Sequence, residues 1–163
     1  MAERLNILLV CTGNTCRSPM AQALTERVIA EKLGVGPDEL AGAGVVVRSA
    51  GVAAGEGSPA SPEAIAVLGE DGIDLSDHQS QAVSDRLIEE ADVIYTMTGR
   101  HREVLVNRWP RADDKTLPLN PDGDIHDPIG GDEREYRETA RLIRWYLQER
   151  LEALDALRAL AAG

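Results

Sequence analysis

Leu5-Asn6-Ile7-Leu8-Leu9-Val10 is the first apolar stretch of the chain, and only Asn6 interrupts it. A run without alternation is apolar on both faces, the pattern of a strand buried within a parallel sheet. Beyond a short polar turn, Ser18-Pro19 opens a helix, Pro being favoured in a first turn. Met20, Leu24 and Val28 recur at spacing four as its inward stripe. Val45-Val46-Val47 predicts a second strand that runs into Arg48-Ser49-Ala50-Gly51. Ser61-Pro62 starts a second helix ending near Gly72, and Ser84 caps a third through Leu87, Ile88 and Ala91. Asp92 to Met97 reads as the next strand, followed by a helix near residues 99–108. Leu117-Pro118-Leu119 suggests a fourth strand at a sheet edge, where Pro is tolerated. The last helix starts at Asp132, paired with Glu135 as in a capping box, and its stripe is Ala140, Ile143, Leu147, Leu151 and Leu154. Strands alternating with helices predict a parallel-sheet α/β fold with ligands at the strand carboxyl ends.

With 163 residues and no repeat, low-complexity tract or linker, residues 1–163 read as one domain. The chain is 43% hydrophobic and has no Phe, so its core must be mostly aliphatic. No apolar run approaches the roughly 18 residues a membrane span needs, and no signal peptide precedes Leu5, so no membrane partner is expected. Two cysteines cannot build a disulfide framework, which makes the cytoplasm the default location. A net charge of −11 argues against a nucleic-acid partner, because phosphate backbones need a basic surface. The acidic excess is local: residues 34–131 carry eighteen acidic against seven basic side chains, whereas the N-terminal segment is close to neutral.

That near-neutral segment holds the chemistry. The first strand ends at Cys11, and the turn into the first helix reads Cys11-Thr12-Gly13-Asn14-Thr15-Cys16-Arg17-Ser18. Gly13 and Asn14 tolerate the left-handed backbone that a tight anion-cradling loop requires. Successive N–H groups in such a loop form a concave nest for an oxyanion, and the helix N-terminus adds positive potential. The same field favours a thiolate at Cys11, the nucleophilic form of cysteine. The planar fork of Arg17 can bind two equatorial oxygens of a phosphoryl group. Ser18 can donate to the thiolate as it leaves. The competing reading makes Cys11 a small buried hydrophobe and Arg17 a surface charge.

A departing group leaves best when protonated, so a carboxylic acid must reach over the loop. Asp122, Asp124 and Asp127 share the Gly/Pro-rich stretch Asn120 to Gly131, which has the look of a mobile active-site loop. Spacing does not choose among them, and each can equally be an Asx-turn residue. Cys16 is either a packing residue or, five positions from Cys11 on a curled loop, a partner that protects the nucleophile through a disulfide. His78, His101 and His126 are too scattered to form a metal site with two cysteines, and no metal or cofactor is assigned.

Val10 to Ala21, read as Val-Cys-Thr-Gly-Asn-Thr-Cys-Arg-Ser-Pro-Met-Ala, closely resembles the signature of the low-molecular-weight protein tyrosine phosphatase family. Asp127-Pro128 fits the late Asp-Pro pair of that family, and Ser49-Ala50-Gly51 and Thr96-Met97 look like further family segments. The resemblance spans essentially the whole chain. It implies a four-stranded parallel sheet flanked by helices, with a phosphate-binding loop between first strand and first helix. It also implies a metal-free reaction in two steps, in which Cys11 takes the phosphoryl group as a thiophosphate and water then releases it. By the same resemblance, Asp127 is the acid, Asn14 shapes the loop, and Ser49 and His78 brace it. Thr12, Gly13, Thr15, Cys16 and Ser18 complete the substrate-binding loop.

The family contains tyrosine phosphatases, phosphoarginine phosphatases and arsenate reductases. The reductases need further cysteines, and this chain has only two. Tyrosine-specific members usually carry an aliphatic residue where this chain has Thr15, and aromatic residues after Asp-Pro and beyond Ser-Ala-Gly. Here those places hold Ile129-Gly130-Gly131 and Val52 to Gly57, with no aromatic residue. Stacking of about 0.5–1.5 kcal/mol per aromatic pair is thus absent for a phenol, whereas a guanidinium would value the Thr15 hydroxyl and the Asp127 carboxylate. Phosphoarginine in proteins leads and phosphotyrosine is the alternative. A binding module that keeps the loop but lacks turnover is a second alternative, disfavoured because binding alone needs neither a thiolate nor an acid.

Overall fold

The computed structural model describes residues 4–162. The stretch ahead of Leu5, read above as lacking a leader, lies outside the described residues except for Arg4. Four strands, β1 (Leu5–Cys11), β2 (Val45–Gly51), β3 (Val93–Thr96) and β4 (Thr116–Pro118), form one parallel sheet in the order β2-β1-β3-β4. The helices are α1 (Arg17–Leu33), α2 (Pro62–Glu70), α3 (Asp85–Glu90), α4 (Gly99–Arg108), α5 (Glu133–Glu152) and α6 (Asp155–Ala162).

The unalternating run of β1 is explained by its central place. Leu5, Ile7, Leu9 and Cys11 face one apolar core with Met20, Leu24 and Val28 of α1, Val67 and Leu68 of α2, and Ile143, Leu147 and Leu151 of α5. Leu8 and Val10 point the other way, into a smaller core with Leu87 and Ile88 of α3, Leu105 of α4, and Trp109. Each large aliphatic side chain so buried stabilises the fold by about 1.5–3 kcal/mol relative to exposure. Helix α1 ends at Gly34, whose φ of 69° provides a left-handed cap donating to Ala30 and Glu31 carbonyls. Ser84 caps α3 by accepting the Leu87 N–H, and Asp132 caps α5 by accepting the Glu135 N–H.

Three details differ from the sequence expectation. The edge strand is Thr116–Pro118, one residue earlier than Leu117–Leu119, because Ile94, Tyr95 and Thr96 pair with Thr116, Leu117 and Pro118. The C-terminal helix is two helices. It breaks at Ala153-Leu154, and this turn lets Leu157 of α6 fold back into the larger core. Two short 3-10 turns, Pro37–Glu39 and Pro110–Lys115, also have no counterpart in the periodicity.

Candidate active site

The carboxyl end of β1 feeds directly into the loop Cys11 to Arg17, at the edge of the sheet where β2 and β3 also end. Asn14 is the only non-glycine residue with positive φ among the described residues, at 57°. Its buried side chain explains why the chain accepts that geometry. Nδ2 donates to Ser18 Oγ (2.8 Å) and Ser49 Oγ (2.9 Å), and Oδ1 accepts the Gln81 N–H (2.9 Å). His78 Nε2 meets the Asn14 carbonyl at 2.7 Å, so Ser49 and His78, expected to brace the loop, both contact it at Asn14. Ser49 Oγ in turn donates to Gln22 Oε1 of α1. Gly51, paired with Cys11 in the β1–β2 register, permits this close approach. A Cβ there would stand 2.4 Å from the Thr12 carbonyl oxygen and 3.0 Å from Asn14 N.

Cys11 is buried at the floor of the loop. Its Sγ lies 2.8 Å from Ser18 Oγ and accepts the Asn14 N–H at 3.3 Å. The sulfur thus sits within reach of both a hydroxyl and a backbone amide of its own loop. Arg17 is 4% exposed, which removes the reading of it as a surface charge. Its Nη1 donates to the Ile125 carbonyl (2.8 Å), and Nη2 faces Asp127 Oδ2 at 3.3 Å. One arm of the fork is therefore fixed to the fold while the other points to the carboxylate beside the loop.

The three aspartates separate cleanly by their contacts. Asp127 is the one that meets Arg17, and its Oδ1 accepts the Ile129 N–H. Asp124 accepts the Gly99 N–H at the start of α4. Asp122 is exposed, and its own N–H donates to Asn120 Oδ1. The Asn120–Gly131 loop, expected to be mobile, is anchored at its middle: Ile125 is buried, donates to the Met97 carbonyl and accepts from Arg17.

Thr15 is half-buried on the loop, and its carbonyl accepts the Ser61 N–H. Cys16 Sγ lies 3.3 Å from Tyr136 Oη and 3.6 Å from Ser61 Oγ. Burial, and next the bond to Cys16, push the Tyr136 phenol up to about 12, so it remains a proton donor. Tyr136 and His101 are the neighbours that sequence reasoning missed. His101, in the first turn of α4, is buried with Nε2 2.7 Å from Thr12 Oγ1. The one available signal for His101 was its place just past the carboxyl end of β3, where ligand-facing loops gather. Tyr136 gave none, since it reads as an ordinary inward residue of α5. No aromatic residue lies on the loops around the site: Tyr95 is in β3, Tyr136, Trp145 and Tyr146 are in α5, and Trp109 caps α4 with its Nε1 on Asp85.

A sequence model of the low molecular weight phosphotyrosine protein phosphatase family matches residues 6–159. The chain belongs to this family. A protein-arginine-phosphatase of Geobacillus stearothermophilus is 46% identical over 136 residues, covering 80% of this chain and 83% of the relative. A solved YwlE arginine phosphatase mutant with a phosphorylated active-site serine superposes with a TM-score of 0.81 at 35% identity, over 94% of this chain and 99% of that one. A low molecular weight protein tyrosine phosphatase from T. tengcongensis superposes with a TM-score of 0.82, also at 35% identity, over 92% and 99%. The four-stranded parallel sheet with its loop between β1 and α1 is thus the fold these family members share.

Proposed function

We propose that this chain is a cysteine-dependent protein phosphatase whose preferred substrate is phosphoarginine in proteins. The observation that carries the reading is Cys11 Sγ, 2.8 Å from Ser18 Oγ at the floor of a loop flanked by Arg17 and Asp127. In the first step the Cys11 thiolate attacks phosphorus, forming an S–P bond as the P–N bond breaks. Asp127 gives its proton to the departing guanidine nitrogen. The loop N–H groups and the Nη2 arm of Arg17, exchanging its contact with Asp127 for the substrate, hold the phosphoryl oxygens in place. In the second step Asp127 takes a proton from water, whose oxygen attacks phosphorus. The S–P bond breaks, inorganic phosphate forms, and Ser18 stabilises the returning thiolate. Asn14, Ser49 and His78 keep the loop in shape, and no metal enters either step.

Phosphoarginine is supported by the Geobacillus relative and by the lack of any Phe, Trp or Tyr in the loop segments 12–15, 52–57 and 129–131. Ile129 is 68% exposed beside Asp127, an aliphatic surface suited to the methylene stem of an arginine rather than to ring stacking. The T. tengcongensis relative supports a second reading, protein tyrosine phosphatase. Partners on either reading are phosphorylated proteins, and a cytoplasmic setting suits such substrates.

The test is phosphate release from a phosphoarginine protein and a phosphotyrosine protein by wild type, Cys11→Ser and Thr15→Ile. Wild type should prefer phosphoarginine, and Cys11→Ser should fold but release no phosphate from either. Thr15→Ile keeps β-branching while replacing the hydroxyl, so the ratio of the two kcat/KM values should shift toward phosphotyrosine. Robust turnover by Cys11→Ser would refute the thiophosphate step. A wild-type preference for phosphotyrosine that Thr15→Ile leaves unmoved would hand the substrate to the second reading.

A further inference from the structure

His101 is a buried side chain beside the nucleophile loop that takes no part in either step. His101 is 5% exposed, and its Nδ1 has no hydrogen-bonding partner among the described residues, while Nε2 meets Thr12 Oγ1. A neutral imidazole carries one N–H, and its two tautomers are unequal here. With the proton on Nδ1, a buried N–H would be orphaned, which is costly and rare. With the proton on Nε2, that N–H is satisfied by Thr12 and only a bare lone pair lacks a partner. The doubly protonated ring would orphan the same Nδ1–H. Burial, and next Arg17, accordingly pull His101 down to about 4, against the opposite pull of Asp124 and Asp127.

Thr12 thereby acquires a fixed valence. A hydroxyl has one proton and two lone pairs. The Nε2–H of His101 occupies one lone pair, so the proton and the other lone pair face away from the ring. Thr12 follows the nucleophile directly and is exposed. We propose that His101 is a positioning residue that holds the Thr12 hydroxyl as a paired donor and acceptor for a guanidinium leaving group. The Thr12 proton meets a phosphoryl oxygen, and its free lone pair accepts a leaving-group N–H. This assignment rests on the phosphoarginine reading. The nitrogen bonded to phosphorus and its neighbours carry N–H groups, whereas the bridging oxygen of an aryl phosphate carries none. The pair therefore discriminates between the two substrate classes at a position separate from Thr15.

The experiment compares kcat/KM of wild type, Thr12→Val, His101→Leu, the double variant and His101→Gln on a phosphoarginine protein and on para-nitrophenyl phosphate. Thr12→Val and His101→Leu should each lower phosphoarginine turnover about tenfold, the worth of one hydrogen bond. The double variant should lose no more than Thr12→Val alone, because His101 acts only through the Thr12 hydroxyl. His101→Gln, whose amide N–H can stand in for Nε2–H, should restore most of the loss. Turnover of para-nitrophenyl phosphate should change by less than about threefold in His101→Leu and His101→Gln, which keep the Thr12 hydroxyl for a phosphoryl oxygen, whereas Thr12→Val should slow both substrates and phosphoarginine more. Equal losses on both substrates in His101→Leu, additive losses in the double variant, or no restoration by Gln would overturn the proposal. Ring ¹⁵N shifts of His101 in the wild-type protein test it without any variant: the Nε2-protonated tautomer is expected from pH 5.5 to 8, and an Nδ1-protonated ring would overturn it. Wild type that hydrolyses para-nitrophenyl phosphate but not phosphoarginine would remove the substrate reading and this proposal together. Hydrolysis of both, unaffected by the variants, would remove the proposal alone.

Discussion

Replacing Asn14 tests how the catalytic loop is held. Its buried amide makes three side-chain hydrogen bonds, to Ser18, Ser49 and Gln81, and its backbone sits at φ 57°. Ser18 and Ser49 keep other partners, in Cys11 and Gln22, so their hydroxyls are not stranded by the loss. Taking about 1 kcal/mol per bond, Asn14→Ala should cost about 3 kcal/mol from the bonds alone. The left-handed backbone adds about 1–2 kcal/mol for alanine. Asn14→Gly loses the same bonds and none of the backbone comfort, but its freer unfolded chain costs about 0.4–1 kcal/mol. Urea unfolding should therefore rank wild type above Asn14→Gly, and Gly above Ala by about 0.5–1 kcal/mol. Both variants should lose phosphatase activity even where they remain folded, since the Asn14 N–H at Cys11 Sγ depends on this geometry. A loss below about 1 kcal/mol for Asn14→Ala, or Gly no better than Ala, would refute this account of the loop.

The neighbouring aspartates should divide by function. Asp127→Ala should slow turnover of a poor leaving group by about 10²–10⁴ and that of para-nitrophenyl phosphate far less; Asp124→Ala should instead lower unfolding stability by about 0.5–1.5 kcal/mol through loss of its bond to the Gly99 N–H at the start of α4. The reverse pattern in kinetics would reassign the acid. On the reading of Cys16 as a disulfide partner for an oxidised Cys11, Cys16→Ser should keep activity but lose thiol-reversible recovery after mild peroxide; equal recovery in both proteins would return Cys16 to packing against Tyr136 and Ser61. His101 is neutral in the fold while the unfolded chain takes up its proton below about 6.5, so the unfolded state binds more protons and stability falls as pH drops from 6.5 toward about 4. Urea unfolding at pH 7 and 4.5 should show wild type losing about 2–3 kcal/mol more than His101→Gln; equal losses would mean that the ring is charged inside the fold.

What the sequence revealed and what it concealed follow from the range of the interactions. The apolar stripe of β1, the Ser84 and Asp132 caps and the loop from Cys11 to Ser18 are set by neighbours within a few positions, and all stand where the pattern put them. Ser49 and His78 became visible through the family resemblance rather than through spacing. The contacts of His101 with Thr12 and of Tyr136 with Cys16 join residues 89 and 120 positions apart, and no local period encodes them. The helix break before α6 was hidden for a related reason. Leu154 continues the α5 stripe, and only the pull of Leu157 into the core distinguishes a turn from another helical step.

The Arg17 fork is oriented by a carbonyl 108 residues further along the chain. A polypeptide growing from its N-terminus therefore leaves the ribosome with its nucleophile long before the group that aims its phosphate-binding arm. Until Ile125 docks on Met97, the nascent chain has the Cys11 sulfur without the fixed arm, and Asp127 has no guanidinium held beside it. The orientation of Arg17 thus comes late in biosynthesis, once residue 125 has emerged and docked, although Cys11 and Arg17 are among the first residues made.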